Sequence, residues 1–272
     1  MSCPLVLVSW DGRSEALSMI HLDVPAQFEW LIFDFSGQSS SGPAQLRGQA
    51  VYLLSMATEC KGEIYQALAI HLAAQDLEPE YVALIDDDII LSVSDINRAL
   101  HIGRSTGLDV FSPTLSHDSV YTHRWSLSQG RSLLREVDWV EVMMPFYRGR
   151  LFRSGQPYFS GNVSSWGIDK YLIPTLQQIG QATRTAMLDS VVASHRRPVT
   201  SGLKRYRNGH TAADESTRMK SVCQALLTQQ RPDLLGSDWY RRIFVQRHAR
   251  TRWQQLIYGL GRPVRRWLDA CT

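Results

Sequence analysis

The chain has 272 residues, 44% of them hydrophobic, with a formal net charge of +3. That is enough for one large α/β domain, or a domain with an appendage, built around an ordinary core. No apolar run reaches the roughly 18 residues of a spanning helix, and the cysteines at 3, 60, 223 and 271 show neither metal-ligand spacing nor a disulfide framework, which suits a reducing cytosol.

The start, Met1-Ser2-Cys3-Pro4-Leu5, lacks the basic region of a signal peptide, so a cytoplasmic location is expected. Pro4 to Trp10 reads as a first strand, ended by Asp11-Gly12. Phe28 to Phe35 reads as a second, ended by Ser36-Gly37, and residues 38–48 as a Ser/Gly-rich loop. Val51 to Met56 suits a third, short strand. Ile64, Leu68, His71 and Leu72 repeat at helical spacing within Lys61 to Ala74.

Tyr81-Val82-Ala83-Leu84-Ile85 carries no charge and suits a strand buried on both faces. It runs into Asp86-Asp87-Asp88. If these stay extended, at about 3.3 Å per residue, Asp86 and Asp88 face one way and Asp87 the other. Three adjacent carboxylates repel one another, so some are protonated or neutralised by a cation. A hard divalent ion is the natural partner, with substrate phosphates completing its shell. In open α/β sheets such ligands bind beyond the carboxyl ends of the strands. The competing reading is a solvated acidic turn before Ile89-Ile90-Leu91.

Ser94 is a candidate N-cap for a helix over Asp95 to Arg104, which Gly107 would end, and Val110 to Ser112 suits a short strand. Residues 116–135 are polar and loop-like. Val137 to Phe146 is strand-like, with Glu141 inside an apolar run. Tyr158 to Asp169 is rich in small residues and predicts a loop that brings backbone close to a ligand. Asp169 to Ile179 suits a helix and Ala186 to Val192 a last strand, with His195-Arg196-Arg197 just past it. The order predicts a doubly wound, mixed central sheet with helices on both faces. Residues 200–213 are polar and loop-like.

The halves differ in charge. Residues 200–272 hold 14 Lys+Arg against 5 Asp+Glu, which leaves 15 against 21 in residues 1–199. From Trp239 to Leu260, aromatic and aliphatic residues recur at near-helical spacing between arginines. A basic amphipathic helix bearing Trp suits an anionic membrane surface, and residues 239–267 are the candidate. A helix packed on the domain with a solvated Arg face is the alternative. Nucleic-acid binding fits less well, since the body is acidic.

Four features stand in chain order: Asp86-x-Asp88, Glu141, Trp166-Gly167-Ile168-Asp169, and Asp189 with His195. Together they resemble the GT-A-fold glycosyltransferases. More narrowly, residues 137–195 are similar to a family of plant and bacterial proteins. That family shares a Val-Glu-x-Met-x-Pro segment, here Val140 to Pro145, a Trp-Gly-x-Asp segment, and a closing Asp and His. The resemblance covers roughly residues 5–200. It implies a GT-A-like catalytic domain over residues 1–200, with residues 201–272 a C-terminal helical, basic extension.

The resemblance also implies a metal-dependent, inverting transfer from a nucleotide-sugar donor to a glycan or glycolipid acceptor, as in bacterial surface polysaccharide synthesis. Asp86, Asp88 and His195 are then the metal ligands for Mn²⁺ or Mg²⁺, and Asp169 is the catalytic base. Asp11 and Asp34 end the first two strands, where such enzymes hold the nucleoside. Lys61, at a helix start, and Asp87 are further candidates for the donor.

The chemistry agrees. A divalent metal neutralises a leaving diphosphate as a Lewis acid, and imidazole can join oxygen ligands around it. A carboxylate must take the acceptor's proton. Asp169 follows Gly167 and begins a helix, and Glu141 is the competing base. Trp125, Trp139 and Trp166 suit stacking on sugar faces, though most aromatics are core. Rival readings are a metal-dependent phosphohydrolase or nucleotidyltransferase using the Asp cluster, and a non-catalytic carbohydrate-binding protein.

Overall fold

A computed structural model describes residues 3–13, 19–46, 50–198 and 204–245. Ten strands form one mixed sheet. They are β1 (Leu5–Trp10), β2 (Ile20–His21), β3 (Glu29–Asp34), β4 (Val51–Ser55), β5 (Tyr81–Ile85), β6 (Ile89–Ser92), β7 (Val110–Leu115), β8 (Arg135–Glu136), β9 (Phe146–Arg148) and β10 (Thr185–His195). Their order is β2-β6-β10-β7-β9-β5-β1-β3-β4, with β8 paired to β10. β4, β3, β1 and β5 run parallel, and β9 lies antiparallel between β5 and β7.

Alternation divides each central strand between two cores. Val6, Val8 and Trp10 of β1, with Tyr81, Ala83 and Ile85 of β5, join the layer that holds α2 (Val93–Thr106). Leu5, Leu7, Val82 and Leu84 face the other layer, with α1 (Lys61–Ala74). Burial on both faces explains why β5 carries no charged residue.

The first strands and α1 fall where expected. α2 starts earlier than expected. Ser92, not Ser94, is its N-cap and shares a capping box with Asp95. Gly107 ends it at φ 66°, as predicted.

The expectation of a strand over Val137 to Phe146 is not met, since only Phe146–Arg148 pairs in the sheet. The carbonyls of Met143 and Pro145 accept the N–H groups of Asp86 and Leu84. Pro145 has no N–H to return, so no regular ladder forms there.

The Asp triplet is not extended either. The Ile89 N–H bonds the Asp86 carbonyl and closes a tight turn between β5 and β6. Past β9 come α3 (Gly149–Ser154) and α4 (Gln156–Phe159). The helix expected from Asp169 opens as a π-turn, Ile168–Leu172, before α5 (Ile173–Ile179).

β10 runs three residues beyond the expected Val192, through a register break between Leu188 and Val192, and so carries His195 to the sheet's end. Within residues 201–272, expected to be helical, stands α6 (Ala212–Gln230), which Thr211 and Asp214 cap, although the sequence reading set no helix bounds there and took residues 200–213 as loop. Met219, Cys223 and Leu227 seat α6 on the α1-side core. A short turn α7 (Asp238–Tyr240) and a π-turn, Arg241–Val245, follow. Ile243 and Phe244 are buried there. The rest of the expected basic helix, from residue 246, lies outside the described residues.

Candidate active site

A cleft of about 470 Å³ opens at the carboxyl ends of β5 and β10. Asp86, Asp88, Glu141, Asp169 and His195 all line it, although they come from separate stretches of chain. Its volume suits a small ligand.

Each carboxylate of the triplet meets a different basic side chain. Asp86 Oδ1 lies 2.6 Å from Lys61 Nζ. Asp87 turns away to Arg197 at 2.7 Å. Asp88 Oδ2 lies 3.1 Å from His195 Nε2. The other ring nitrogen, Nδ1, is 2.6 Å from the Val120 carbonyl, which can only accept, so Nδ1 carries a proton and Nε2 faces Asp88. A backbone partner of this kind commonly fixes a metal-binding histidine. Burial opposes charge on both partners, but the bond between them wins. It raises the His195 pKa and lowers that of Asp88. Asp88 Oδ1 is buried and has no hydrogen-bond partner.

Lys61 also lines the cleft, but its ammonium is already engaged by protein groups. It is 8% exposed, and besides Asp86 its ammonium donates to the carbonyls of Leu84 and Met143 at 3.2 and 3.1 Å. An ammonium has three donors, and all three are used. Lys61 bolts the start of α1 to the end of β5 and to the 143 segment. Even so, burial pushes the Asp86 carboxyl up to about 6, against the pull of Lys61.

Asp34 is fully buried and lies outside the cleft's lining. It accepts from the N–H groups of Ser36, Gln38 and Ser39 and from the hydroxyls of Ser36 and Ser55. Burial opposes its charge, yet these bonds hold its pKa well below the usual range. Asp34 therefore organises the loop after β3 and has no lone pair to spare for a nucleoside. Asp11 caps its own turn through the Arg13 N–H at 3.0 Å.

Glu141 is buried and Asp169 half-buried in the same cleft. Glu141 Oε2 is buried without a hydrogen-bond partner, and Oε1 lies 3.5 Å from His123 Nε2. Burial, and then the nearby Asp169, push the Glu141 pKa well above the carboxylate range. Asp169 opens the π-turn after Gly167, whose φ is 88°. A Cβ on Gly167 would stand 2.9 Å from Met219 of α6 and in a disfavoured backbone region, so the turn requires glycine. Burial lifts the Asp169 pKa to about 6, and the Lys170 N–H, 2.7 Å from Oδ1, partly offsets this.

Aromatic side chains flank these acids. His123 stacks on Trp125 at 5.6 Å and meets Trp139 edge-on at 5.0 Å. Trp166 stands 39% exposed at the cleft. Asp189 does not reach the cleft. It is salt-bridged to Arg135 at 2.6 Å, and Arg135 also holds the carbonyls of Trp125 and Leu127. That pair positions the loop that brings His123 to Glu141. Sequence reading missed His123, whose only signal was its place two residues before Trp125.

No family model matches the chain, and no curated protein does. Solved structures do match. Residues 1–349 of S. aureus TarS align over 99% of this chain and 79% of that one, at 14% identity and TM-score 0.59. The same fragment with UDP-GlcNAc aligns over the same shares at 13% identity and TM-score 0.56. With UDP it aligns over 98% and 78%, at 12% and 0.53. At such identity the likeness establishes the fold, which is GT-A-like as the sequence implied.

Proposed function

We propose that this chain is a glycosyltransferase that moves a sugar from a nucleoside diphosphate donor to an acceptor hydroxyl, with inversion. One observation carries the reading. The Asp88–His195 pair, with its unpartnered carboxylate oxygen, opens into the same cleft as Asp169 and Glu141. The fold neighbours bound to UDP-GlcNAc and UDP support a nucleotide-sugar as the donor class.

Mn²⁺ or Mg²⁺ is the cofactor in this reading; among the described residues no group of three His, Cys, Asp or Glu side chains stands gathered as a ready metal site, so the reading rests on the Asp88–His195 pair. Asp88 has an orphaned buried oxygen, His195 is fixed through Nδ1 with Nε2 facing that carboxylate, and Asp86 lines the same wall. Carboxylate oxygens with one imidazole suit such a metal. When bound, the ion would neutralise the charge of the departing diphosphate.

Proton transfer falls to Asp169. With a pKa of about 6 it is ionised at neutral pH and can accept a proton from the acceptor hydroxyl. That oxygen then bonds to the sugar's anomeric carbon as the bond to the diphosphate breaks, and the bonding electrons leave with the phosphate. Glu141, whose carboxyl burial and then Asp169 push well above the usual range, is the poorer candidate for that base. It can donate a hydrogen bond to a sugar hydroxyl, beside the aromatic wall of Trp139 and His123. The acceptor is a glycan or lipid-linked sugar. The basic charge of residues 200–272 would keep the enzyme near an anionic membrane face.

A thermal-shift screen of nucleoside diphosphate sugars, with and without Mn²⁺, tests the reading. A ligand that binds the native state raises the apparent stability. A stabilising donor that needs the metal, followed by sugar transfer, is expected. A donor that is merely hydrolysed would move the assignment to a phosphohydrolase. No stabilisation by any of them would contradict it.

A further inference from the structure

The loop that carries Trp166, Gly167 and Asp169 is held from outside the cleft. Glu215 of α6 is only 3% exposed, and its carboxylate points into this loop. Oε2 accepts from the N–H groups of Val163 and Ser164 at 3.1 and 2.7 Å and from the Ser164 hydroxyl at 2.5 Å. Oε1 accepts from Val163 N–H at 3.0 Å and from Asn208 Nδ2 at 2.6 Å. Two consecutive backbone N–H groups aimed at one anion make a concavity of the kind that binds phosphate elsewhere, here filled by the protein's own carboxylate. Burial works against that charge, yet the bonds from Ser164, Val163 and Asn208 hold its pKa below the usual value.

The loop's other side is also fixed. The Gly62 N–H of α1 bonds the Val163 carbonyl at 2.9 Å, and a Cβ on Gly62 would stand 2.3 Å from the Asn162 carbonyl. Within the loop, Asn162 Oδ1 accepts from Ser165 N–H while its Nδ2 donates to the Trp166 carbonyl. Ser165 takes a left-handed φ of 69°. A non-glycine residue holds that conformation only where its surroundings impose it. The turn is therefore clamped between α1 and α6, four residues from the proposed base.

We propose that Glu215 is a positioning residue. Its carboxylate shapes the 163–167 turn and so sets where Asp169 and Trp166 stand in the cleft. The segment from residue 204 then shapes the active site through a side chain outside the cleft, in addition to Tyr206 and Ser216, which line it. This rests on the reading of Asp169 as base. A misplacement of about 1 Å can cost about 10²-fold in rate.

Glu215→Gln in the full chain tests it, because the amide turns an N–H toward N–H donors at nearly constant volume. Amide exchange in the 160–170 segment should quicken about tenfold or more, while β5 and α2 exchange as in the parent. Turnover should fall about 10- to 100-fold with UDP affinity unchanged, and the rise of kcat near pH 6 should shift. Asn208→Ala, which removes one exterior donor, should show the same pattern more weakly. Unchanged exchange and turnover in Glu215→Gln would overturn the proposal. So would faster exchange throughout the fold, which would mark a general stabiliser. Local exchange changes in a parent that transfers no sugar would sink the transferase reading and leave the clamp standing.

Discussion

Asp169 and Glu141 share the cleft, and burial raises both carboxyls, Asp169 to about 6 and Glu141 further. The roles proposed for them separate on that difference. Asp169→Asn should lower kcat by about 10² to 10⁴, the usual worth of general-base help, with UDP affinity nearly unchanged. In the parent, kcat should rise with pH through about 6 as Asp169 ionises, and the residual activity of Asp169→Asn should lack that limb. Glu141→Gln keeps a donor and should chiefly raise the acceptor KM. If Glu141→Gln abolishes turnover while Asp169→Asn does not, the roles are reversed. The same shift makes a stability prediction. The folded state holds the Asp169 proton up to about pH 6, whereas the unfolded chain releases it near its ordinary value of 3.8. Between these the native state binds more protons, so this group's contribution to stability falls as pH rises and is fully lost above about 6. Asp169→Asn removes that cost. By thermal melts it should be more stable than the parent at pH 7.5, on the order of 1–2 kcal/mol, with no gain at pH 4.

Among the elements, α6 and the turn after it decide how the C-terminal segment relates to the domain. Ile243 and Phe244 are 1% and 4% exposed, and Phe244 stacks on Tyr171 at 5.5 Å and on Tyr240 at 4.9 Å. That part of the expected amphipathic face is spent on the domain and is not available to a membrane. A shortened chain tests that packing. One ending at Ser237 should lose about 3–6 kcal/mol, from about 1.5–3 for each buried side chain, and melt about 10 °C lower. Anionic-liposome binding by the full chain and its loss in a chain ending at Val245 would place the membrane contact in residues 246–272. Equal binding by both would refute a membrane role for them. The elements that sequence made legible are those with strong local periodicity. β5, α1 and β1 follow from uncharged runs and helical spacing. The 137–145 segment misled because apolar runs mark burial, while a ladder also needs N–H groups, and Pro145 has none. α6 was legible in part, since Thr211 and Asp214 form a cap and Met219, Cys223 and Leu227 recur every fourth residue. Its importance was not, because Glu215 reads as a surface charge until the fold brings it to Val163. Asp34 and Lys61 carried the right residue types at the right strand and helix ends. Their partners, Ser55 and Leu84 among them, are set by tertiary contacts that spacing does not reveal.

For the whole molecule, the sheet gathers at one edge residues that lie more than a hundred positions apart, such as Asp88 and His195. The fold explains why the candidate site lies at this end of the sheet. Parallel strands end there, α1 begins there, and side chains on both faces are already committed to core. It does not alone say what binds. The central claim is that the cleft takes a nucleoside diphosphate through a divalent ion held by Asp88 and His195, and UDP titrated into the full chain tests it most directly. The titration is run in Mn²⁺ and in EDTA, on the parent and on Asp88→Asn, whose fold is first checked by its circular dichroism. The account predicts binding by the parent in Mn²⁺ that weakens at least tenfold in EDTA and to a similar degree in Asp88→Asn. Equal UDP affinity in all of these, or no binding by the folded parent to any nucleoside diphosphate, would contradict it.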